Sequence, residues 1–257
     1  MALRPPPLPA PRDVALLLDF DGTLVELAPT PEDVVVDAGL KTLIARLQQQ
    51  LDGALAIVSG RTIASIDSLL APLRLPVAGQ HGIERRCAAG RMHAPGACGA
   101  WLEAAHVALQ AFSATRPGVL VERKSHAVAL HWRRAPRHAA AARDTVLATW
   151  ATLQPRPMLI EGHAVLELRE LGPGKDAAID AFLADAAFRG RRPVYIGDDI
   201  TDVPALRRAV QRGGLAICVG PADAAWRAAL PADTHGLSDP IAVRAWIAAL
   251  LAKTAAA

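Results

Sequence analysis

The chain has 257 residues, of which 52% are hydrophobic, enough for one large domain or two modest ones with a buried core. Its formal net charge of +3 comes from scattered basic residues and only 4% of its residues are aromatic, so we expect no nucleic-acid-binding surface. No apolar stretch approaches the roughly 20 residues that a membrane span needs, so we expect no membrane contact.

Residues 1–12 are rich in proline and lack a continuous apolar run, which predicts a flexible tail with polyproline II character rather than a signal peptide. The three cysteines, Cys87, Cys98 and Cys218, show neither a Cys-x-x-Cys motif nor a Cys/His metal-binding spacing. We therefore expect neither a disulfide framework nor a structural zinc site. Free thiols favour a cytoplasmic location, where they stay reduced.

The first predicted strand, at residues 14–18, is apolar throughout, as is typical of a strand buried on both faces. Asp19 and Asp21 follow it, and Gly22 lets the backbone turn away. Because two carboxylates this close repel each other unless a cation lies between them, the pattern predicts a metal site. Oxygen ligands favour Mg²⁺ over zinc. The motif by itself is also compatible with an ordinary polar turn.

Apolar residues at helical spacing predict a helix over residues 40–51, and residues 54–58 predict a second buried strand. Polar residues follow this strand too, namely Ser59, Gly60 and Arg61. A second helix and a short third strand continue the alternation. Strands alternating with helices indicate a Rossmann-like parallel α/β sheet, whose ligands bind beyond the carboxyl ends of the strands.

The pattern changes over residues 87–170, which we interpret as a separate α+β domain inserted into a core of residues 13–86 and 171–257. The insert has two predicted helices, at residues 100–112 and 136–153. It also has two strand-rich stretches, at residues 119–133 and 158–169.

Alternation along the strands of the insert predicts a sheet with one apolar and one polar face. In residues 127–133 the apolar side chains share one face, while His131 and Arg133 share the other. In residues 164–169, Glu167 lies opposite the leucines. Such a polar face could cover a polar ligand, or it could simply be solvated.

The core resumes with Lys175, which begins a predicted helix. A further buried strand at residues 193–196 ends in three carboxylates, Asp198, Asp199 and Asp202. A strand and an amphipathic terminal helix complete the core. Four polar clusters thus follow elements of one sheet, and a parallel sheet brings such groups to one crevice.

These groups match the needs of phosphoryl transfer, which are a nucleophile, a metal and donors around the phosphate oxygens. Asp19 can attack phosphorus to form an aspartyl-phosphate, and Asp21 can act as acid and then as base. Asp198, Asp19 and the carbonyl oxygen of Asp21 can hold Mg²⁺. The remaining groups support this chemistry: Ser59, Gly60 and Lys175 bind phosphate, and Asp199 and Asp202 orient Lys175 and metal waters.

The chain resembles the haloacid dehalogenase (HAD) superfamily in four motifs that come in the right order on the right elements. They are Asp19-Phe20-Asp21-Gly22-Thr23, Ser59, Lys175 and the stretch from Gly197 to Asp202. The resemblance spans nearly the whole chain, and the insert lies where a cap domain is found in that superfamily. It implies a HAD core with an inserted α+β cap.

Within that superfamily the chain looks like the trehalose-6-phosphate phosphatases, in residues 18–24, 29–31, 58–61, 79–86, 122–124, 131–133 and 167. This resemblance implies a Mg²⁺-dependent enzyme that releases trehalose from trehalose 6-phosphate. We expect the enzyme to be a monomer. The resemblance also implies that four cap residues bind the sugar, namely Glu122, Lys124, Arg133 and Glu167. Two further residues, Arg61 and His81, would line the core side.

Other interpretations of these residues stay open. Glu122 and Lys124 could form a solvated pair on a strand, Arg61 could form a salt bridge at a helix start, and His81 could be a turn residue.

The chain departs from the family pattern at Val203, where Glu is usual, and at Asp176, where Gly is usual. Neither position carries the nucleophile or a metal ligand, but both departures leave the identity of the sugar undecided. One alternative is therefore a HAD phosphatase for another sugar phosphate, of the glucosylglycerol or mannosylglycerate type. Another is a catalytically silent sugar-phosphate sensor, whose mark would be the loss of Asp19, Asp21 or Lys175.

Overall fold

The protein was analysed as a computed structural model, which describes residues 3–96, 98–221 and 225–254. These residues form two compact units. The core unit comprises the described residues up to Leu27, Val34–Ala94 and those from Pro173 onward. The cap unit comprises Ala28–Asp33 and Pro95–Gly172.

Strands and helices alternate in the core unit, and the cap unit contributes the middle elements. The strands are β1 Val14–Leu18, β2 Leu55–Val58, β3 Val77–Gly79, β4 Glu84–Arg86, β5 Met92–His93, β6 Leu120–Arg123, β7 Ala127–His131, β8 Met158–Gly162, β9 Val165–Arg169, β10 Arg192–Gly197, β11 Leu215–Val219 and β12 His235–Leu237. The α-helices are α1 Ala38–Gln50, α2 Ile63–Leu70, α3 Trp101–Ser113, α4 Ala139–Thr152, α5 Lys175–Leu183, α6 Val203–Gln211 and α7 Pro240–Thr254.

The core sheet has eight strands in the order β12-β11-β10-β1-β2-β3-β4-β5. The pairings from β12 to β3 are parallel, and β4 and β5 are added in antiparallel fashion. Strand β1 lies between β10 and β2 and is buried along its whole length, as its unbroken apolar sequence predicts. The expected parallel α/β sheet is confirmed.

The elements that sequence periodicity did not reveal are short or polar. Strand β4 has the sequence Glu-Arg-Arg and pairs with β3 as a hairpin, so it shows no apolar pattern. Strand β12 has only three half-buried residues. Helix α6 directly follows the acidic loop and has a proline in its first turn, where the missing N–H costs nothing.

The proline-rich N-terminal segment packs against the core unit. The indole N–H of Trp246 donates to the carbonyl of Pro7 at 3.3 Å, and Lys253 donates to the carbonyl of Leu8. The amide of Gly236 on edge strand β12 donates to the carbonyl of Arg4 at 2.9 Å. These contacts differ from the loose tail expected from the sequence. An extended segment whose carbonyls make no internal hydrogen bonds is well suited to cover a sheet edge.

The cap unit is an antiparallel sheet in the order β6-β7-β9-β8, with α3 and α4 on one face. The predicted apolar face is the one that the helices cover, and its core includes Leu109, Val128, Leu130, Val146, Leu166 and Leu168. Among the helices of the described residues, none combines the length and the apolar character needed to span a bilayer.

Candidate active site

The carboxyl ends of three adjacent strands carry the first groups of the site. Asp19 directly follows β1, Ser59 follows β2 on one side, and Asp198 follows β10 on the other. The amide of Asp19 still donates to the carbonyl of Ile196 at 2.9 Å, so the ladder holds the acid in place at the strand end. The sheet therefore brings residues from distant parts of the chain to one edge.

Gly22 allows the first and last acidic motifs to meet. Its φ of +81° lies in the left-handed region, and a Cβ built on it would lie 2.0 Å from Oδ2 of Asp198. Thr23 donates its hydroxyl to Oδ1 of Asp198 at 2.9 Å. The turn after β1 thus both makes room for the Asp198 carboxylate and orients it.

Lys175, the first residue of α5, reaches into the same group. Its Nζ lies 2.9 Å from Oδ1 of Asp19 and 2.7 Å from Oδ1 of Asp202, and all three side chains are nearly inaccessible to solvent. Burial disfavours the ammonium, but the charges of Asp19 and Asp202 outweigh this and raise the pKa of Lys175 above its ordinary value. Lys175 therefore carries a positive charge at neutral pH.

Asp202 is fully used in positioning its neighbours. Its Oδ1 accepts from Lys175 and, at 2.5 Å, from the hydroxyl of Tyr195, while Oδ2 accepts from the amides of Asp198 and Asp199. Burial and the charge of Asp202 raise the pKa of Tyr195 well above its ordinary value, so the phenol stays a donor. Asp199 also caps the short helical turn at Ile200–Asp202, accepting from the amide of Ile200.

The carboxylates carry more negative charge than Lys175 can offset. Burial raises the pKa of Asp19 from 3.8 to about 7, with Lys175 opposing and Asp202 adding to the shift. Burial and the charges of Asp19 and Asp202 raise the pKa of Asp198 well above its ordinary value. Buried carboxylates that resist ionisation are suited to a bound cation, because the cation would favour their charged forms.

Ligand atoms of Asp19, Asp198 and Asp202 all lie within 4.8 Å of one another. Both oxygens of Asp202 already accept hydrogen bonds, so Asp19 and Asp198 are the side chains suited to ligate a cation. Their oxygen atoms are hard donors of the kind that Mg²⁺ prefers. The residues present therefore fit the divalent ion that HAD phosphatases generally use.

Arg61 holds Asp21 in a two-pronged ion pair. Its Nε lies 2.6 Å from Oδ2 of Asp21, and its Nη2 lies 2.8 Å from Oδ1. Arg61 precedes α2, whose amide at residue 65 is capped by the hydroxyl of Thr62. Arg61 thus forms the salt bridge at a helix start that was one of its possible roles. Its partner is Asp21, the predicted acid and base.

Ser59, Gly60 and His81 form one corner of the core unit. The amide of His81 donates to the carbonyl of Ser59 at 2.9 Å, and a Cβ on Gly60 would lie 2.7 Å from Nε2 of His81. His81 has a φ of +58°, as a turn residue would. Its ring nevertheless lies directly against the backbone after β2.

The polar face of the cap sheet brings together three of the four predicted sugar-binding residues. Lys124 Nζ lies 2.6 Å from Oε2 of Glu167 and 3.8 Å from Oε2 of Glu122. His131 Nε2 lies 3.0 Å from the same oxygen of Glu122. We refer to Glu122, Lys124, His131 and Glu167 as the cap polar cluster.

Arg133 has a different environment within the cap unit. Its Nη1 donates to the carbonyl of Ala28 and its Nη2 to the carbonyl of His163 at 3.2 Å. Both acceptors are backbone groups, so Arg133 ties the segment Ala28–Asp33 to the cap sheet. This structural contact was not expected from the sequence.

Two residues of the site were missed by the sequence analysis, Thr23 and Tyr195. Thr23 lies inside the first motif, but nothing in the motif itself says that its hydroxyl faces Asp198. Tyr195 is the single tyrosine of the chain and lies in a buried strand. A buried phenol needs a hydrogen-bond partner, so its place just ahead of the acidic loop was a usable signal.

The positions that depart from the family pattern lie beside the site. Asp176 is 3.9 Å from Arg208 on α6, and Val203 is buried at the start of α6. Both take part in contacts along helices rather than in the carboxylate group around Lys175.

Comparisons with known proteins show the family to which the chain belongs. The sequence model of the trehalose-phosphatase family matches residues 17–224. Over 217 residues the chain is 38% identical to trehalose-6-phosphate phosphatase of Escherichia coli (strain K12), covering 84% of this chain and 81% of that protein.

Two solved structures share the fold. The C-terminal domain of trehalose-6-phosphate phosphatase from C. albicans matches with a TM-score of 0.78 at 17% identity, over 94% of this chain and 92% of that one. A haloacid dehalogenase-like hydrolase from Bacteroides thetaiotaomicron matches with a TM-score of 0.63 at 14% identity, over 91% and 98% of the two chains. These likenesses confirm the HAD-like α/β fold. Because the family's sequence model covers most of its length, including the strand ends that carry Asp19, Ser59 and Asp198, this chain belongs to the trehalose-phosphatase family.

Proposed function

We propose that this protein is a Mg²⁺-dependent phosphatase that hydrolyses trehalose 6-phosphate to trehalose and phosphate in the cytoplasm. The observation that carries the proposal is the contact of Lys175 with Asp19, which joins the third motif to the first in a chain of the trehalose-phosphatase family. The same buried group contains Asp198 of the fourth motif.

In the first step a carboxylate oxygen of Asp19 attacks phosphorus and the bond from phosphorus to the sugar oxygen breaks. Asp21 gives a proton to the departing oxygen. In the second step Asp21 takes a proton from water, and the water oxygen attacks the phosphorus of the aspartyl-phosphate and releases phosphate. Asp19 is thereby restored, so the cycle balances.

Arg61 is proposed to serve both states of Asp21. Its two-pronged contact orients the side chain of Asp21 for the second step, when Asp21 acts as the base. A phosphate dianion is a strong competitor for a guanidinium group. When Arg61 turns to the substrate, Asp21 is released to carry the proton that the first step needs.

Around the phosphate, the donors are proposed to be Lys175, the hydroxyl of Ser59 and the backbone at Gly60. Lys175 is held by Asp202, so its charge is in place before the substrate arrives. Asp19, Asp198 and the carbonyl oxygen of Asp21 would hold the Mg²⁺ ion. When bound, the ion supplies positive charge that offsets that of the phosphate.

The cap polar cluster, Arg133 and His81 are proposed to bind the sugar. Carboxylates of Glu122 and Glu167 can accept from sugar hydroxyls, and Lys124 can donate to sugar oxygens. The pairing of Lys124 with Glu167 keeps both charges in place on the sheet. Arg133 would contribute while still bound to its backbone acceptors, or after leaving one of them.

The test is Mg²⁺-dependent phosphate release from trehalose 6-phosphate, measured beside glucose 6-phosphate and sucrose 6-phosphate. We expect kcat/KM for trehalose 6-phosphate to exceed both others. Preference for another sugar phosphate would contradict the substrate, and binding without turnover would support the silent sensor.

Asp19→Asn tests the nucleophile, because the amide cannot form the covalent intermediate. We expect at least a ~10⁴-fold loss of kcat with the fold retained. Asp52→Asn is the matched control, because the Asp52 side chain is 76% exposed and forms its ion pair with Arg191 at 3.6 Å. Turnover that survives in Asp19→Asn would show that the nucleophile is another group.

A further inference from the structure

A second cluster of metal-ligating side chains lies in the cap unit, apart from the carboxylates of the core unit. It consists of Cys98, His126 and Glu170, whose ligand atoms all lie within 4.8 Å of one another. A thiol, an imidazole and a carboxylate form a donor set typical of zinc, not of Mg²⁺. The sequence predicted no zinc site because the three residues are far apart along the chain and match no local spacing.

The cap sheet itself aligns two of these residues. His126 immediately precedes β7 and Glu170 immediately follows β9, and these strands are antiparallel neighbours. The amide of Glu170 donates to the carbonyl of His126 at 2.9 Å, which continues the ladder by one step. Their side chains meet as well, with His126 Nδ1 2.6 Å from Oε2 of Glu170. The backbone thus fixes this pair.

Cys98 is brought to the pair by the segment that precedes α3. It packs against the hydrophobic core of the cap unit, which holds it at the end of the sheet. Burial and the nearby charge of Glu170 raise the pKa of the Cys98 thiol above its ordinary value, and the thiol hydrogen-bonds to that carboxylate. Cys98 is therefore protonated at neutral pH, which disfavours a role as a free nucleophile.

The three side chains belong to one unit and place a sulfur, a nitrogen and an oxygen ligand atom close to one another. We propose that Cys98, His126 and Glu170 bind one zinc-class divalent transition ion, with solvent completing the coordination. The His126 side chain is 8% exposed and that of Glu170 is 26% exposed, so the site is buried at His126 and open to water at Glu170.

Only small movements separate the present geometry from a ligated one. Ligand atoms 2.0–2.3 Å from a tetrahedral zinc ion lie about 3.5 Å apart, so the contact between His126 and Glu170 has to lengthen by about 1 Å. Binding releases the thiol proton of Cys98, because the thiolate is the form that ligates a metal ion. Cys98 lies near Pro95 and Glu170 near Gly172, the two ends of the cap unit's main segment, so the ion would join these ends.

The experiment is Co²⁺ titration of the metal-stripped full chain, because Co²⁺ substitutes for zinc and gives a thiolate-to-metal charge-transfer band. We expect this band to saturate at one ion per chain, to disappear when zinc is added, and to persist in excess Mg²⁺. Asp19→Asn should keep it, because that change removes a carboxylate of the core unit only. This result would separate the new site from the proposed catalytic ion.

Variants assign the ligands. Cys98→Ser should abolish the band, and Glu170→Gln should weaken Co²⁺ binding by at least about tenfold. Cys87→Ser and Glu161→Gln are matched controls that should leave both band and affinity unchanged, since Cys87 lies in the core unit and Glu161 pairs with Arg143. Because His126 is buried, the Co²⁺ binding of His126→Asn is compared only if the variant's unfolding curve matches that of the unchanged chain.

Three outcomes would overturn the proposal. They are the absence of a charge-transfer band in the unchanged chain, a band that survives in Cys98→Ser, and Co²⁺ affinity that is unaffected by Glu170→Gln. The last result would mean that the thiol binds the ion without the cluster.

Discussion

Asp19, the proposed nucleophile, shows how burial of a reactive carboxylate lowers stability. A carboxylate at the end of a buried strand is well placed to attack a phosphate, but burial raises its pKa to about 7. Lys175 reduces the penalty without removing it, because Asp202 shares the same ammonium. A protein with a buried active-site carboxylate of this kind is typically less stable than one with a neutral residue at the same position.

The direction of the pH effect follows from the two pKa values of Asp19. Its pKa is about 7 in the folded chain and near 3.8 when unfolded, so between these values the folded state binds more protons. The free energy of unfolding contributed by Asp19 therefore falls as pH rises from about 4 to about 7 and stays low above that.

We predict that Asp19→Asn stabilises the metal-free protein at pH 8, by a few kcal/mol at most, on the order of 1.4 kcal/mol per unit of pKa shift. The gain should shrink toward pH 4.5, where Asp19 is protonated in the folded chain. Urea unfolding in a chelating buffer at both pH values measures it, with Asp52→Asn as the exposed control. Equal or lower stability of Asp19→Asn at pH 8 would argue against a costly Asp19 carboxylate.

At the scale of elements, strand register decides which side chains can meet a substrate. Successive residues of β9 point to opposite faces of the cap sheet, so Leu166 and Leu168 enter the core under α3 and α4 while Glu167 joins the cap polar cluster. On β8, Glu161 pairs with Leu166 across the sheet and bonds to Arg143 of α4, on the helical side. A shift by one residue would exchange these roles.

We predict that Glu167→Gln raises KM for trehalose 6-phosphate at least about tenfold. The change removes the charge of a buried carboxylate and thereby weakens its hydrogen bonds to the sugar or to Lys124. Kinetics on p-nitrophenyl phosphate, which has no sugar, should be unchanged. Glu161→Gln is the matched control and should alter neither substrate. An equal loss on both substrates would indicate that Glu167 supports the fold instead of binding sugar.

At the scale of the whole molecule, the N-terminal segment contacts the last strand and the last helix of the core unit. The carbonyls of the N-terminal segment accept from β12 and from α7, through Gly236, Trp246 and Lys253. The segment thereby covers one edge of the eight-stranded sheet and packs beside the terminal helix. Edge strands are protected in this way from pairing with other chains.

We predict that deleting residues 1–9 lowers the thermal midpoint by several °C, because each lost hydrogen bond contributes about 1 kcal/mol. Differential scanning calorimetry measures the change. At 25 °C, kcat on trehalose 6-phosphate should stay within about twofold, since the described residues of the segment form their hydrogen bonds with β12 and α7. Trp246→Phe removes only the indole donor and should show a smaller shift. An unchanged midpoint after the deletion would mean that the contacts contribute nothing to stability.

The amino-acid sequence was enough to predict the parallel part of the core sheet and the chemical groups at its edge. Unbroken apolar runs mark strands buried on both faces, and a parallel sheet carries polar residues to one edge, so Asp19, Ser59 and Asp198 could be assigned to one site. Alternation in the cap likewise predicted which face is polar. These patterns are local, and the physics of burial makes them readable without coordinates.

Only the tertiary structure decided which side chains pair. Arg61 with Asp21, Tyr195 with Asp202, Arg133 with backbone carbonyls and Cys98 with His126 and Glu170 all join residues from separate elements. Side-chain contacts of this kind depend on how the elements pack and on the rotamer of each side chain. Neither the packing nor the rotamers produce a periodic pattern in the sequence. The packing of the N-terminal segment was hidden for the same reason, since its partners lie more than two hundred residues away.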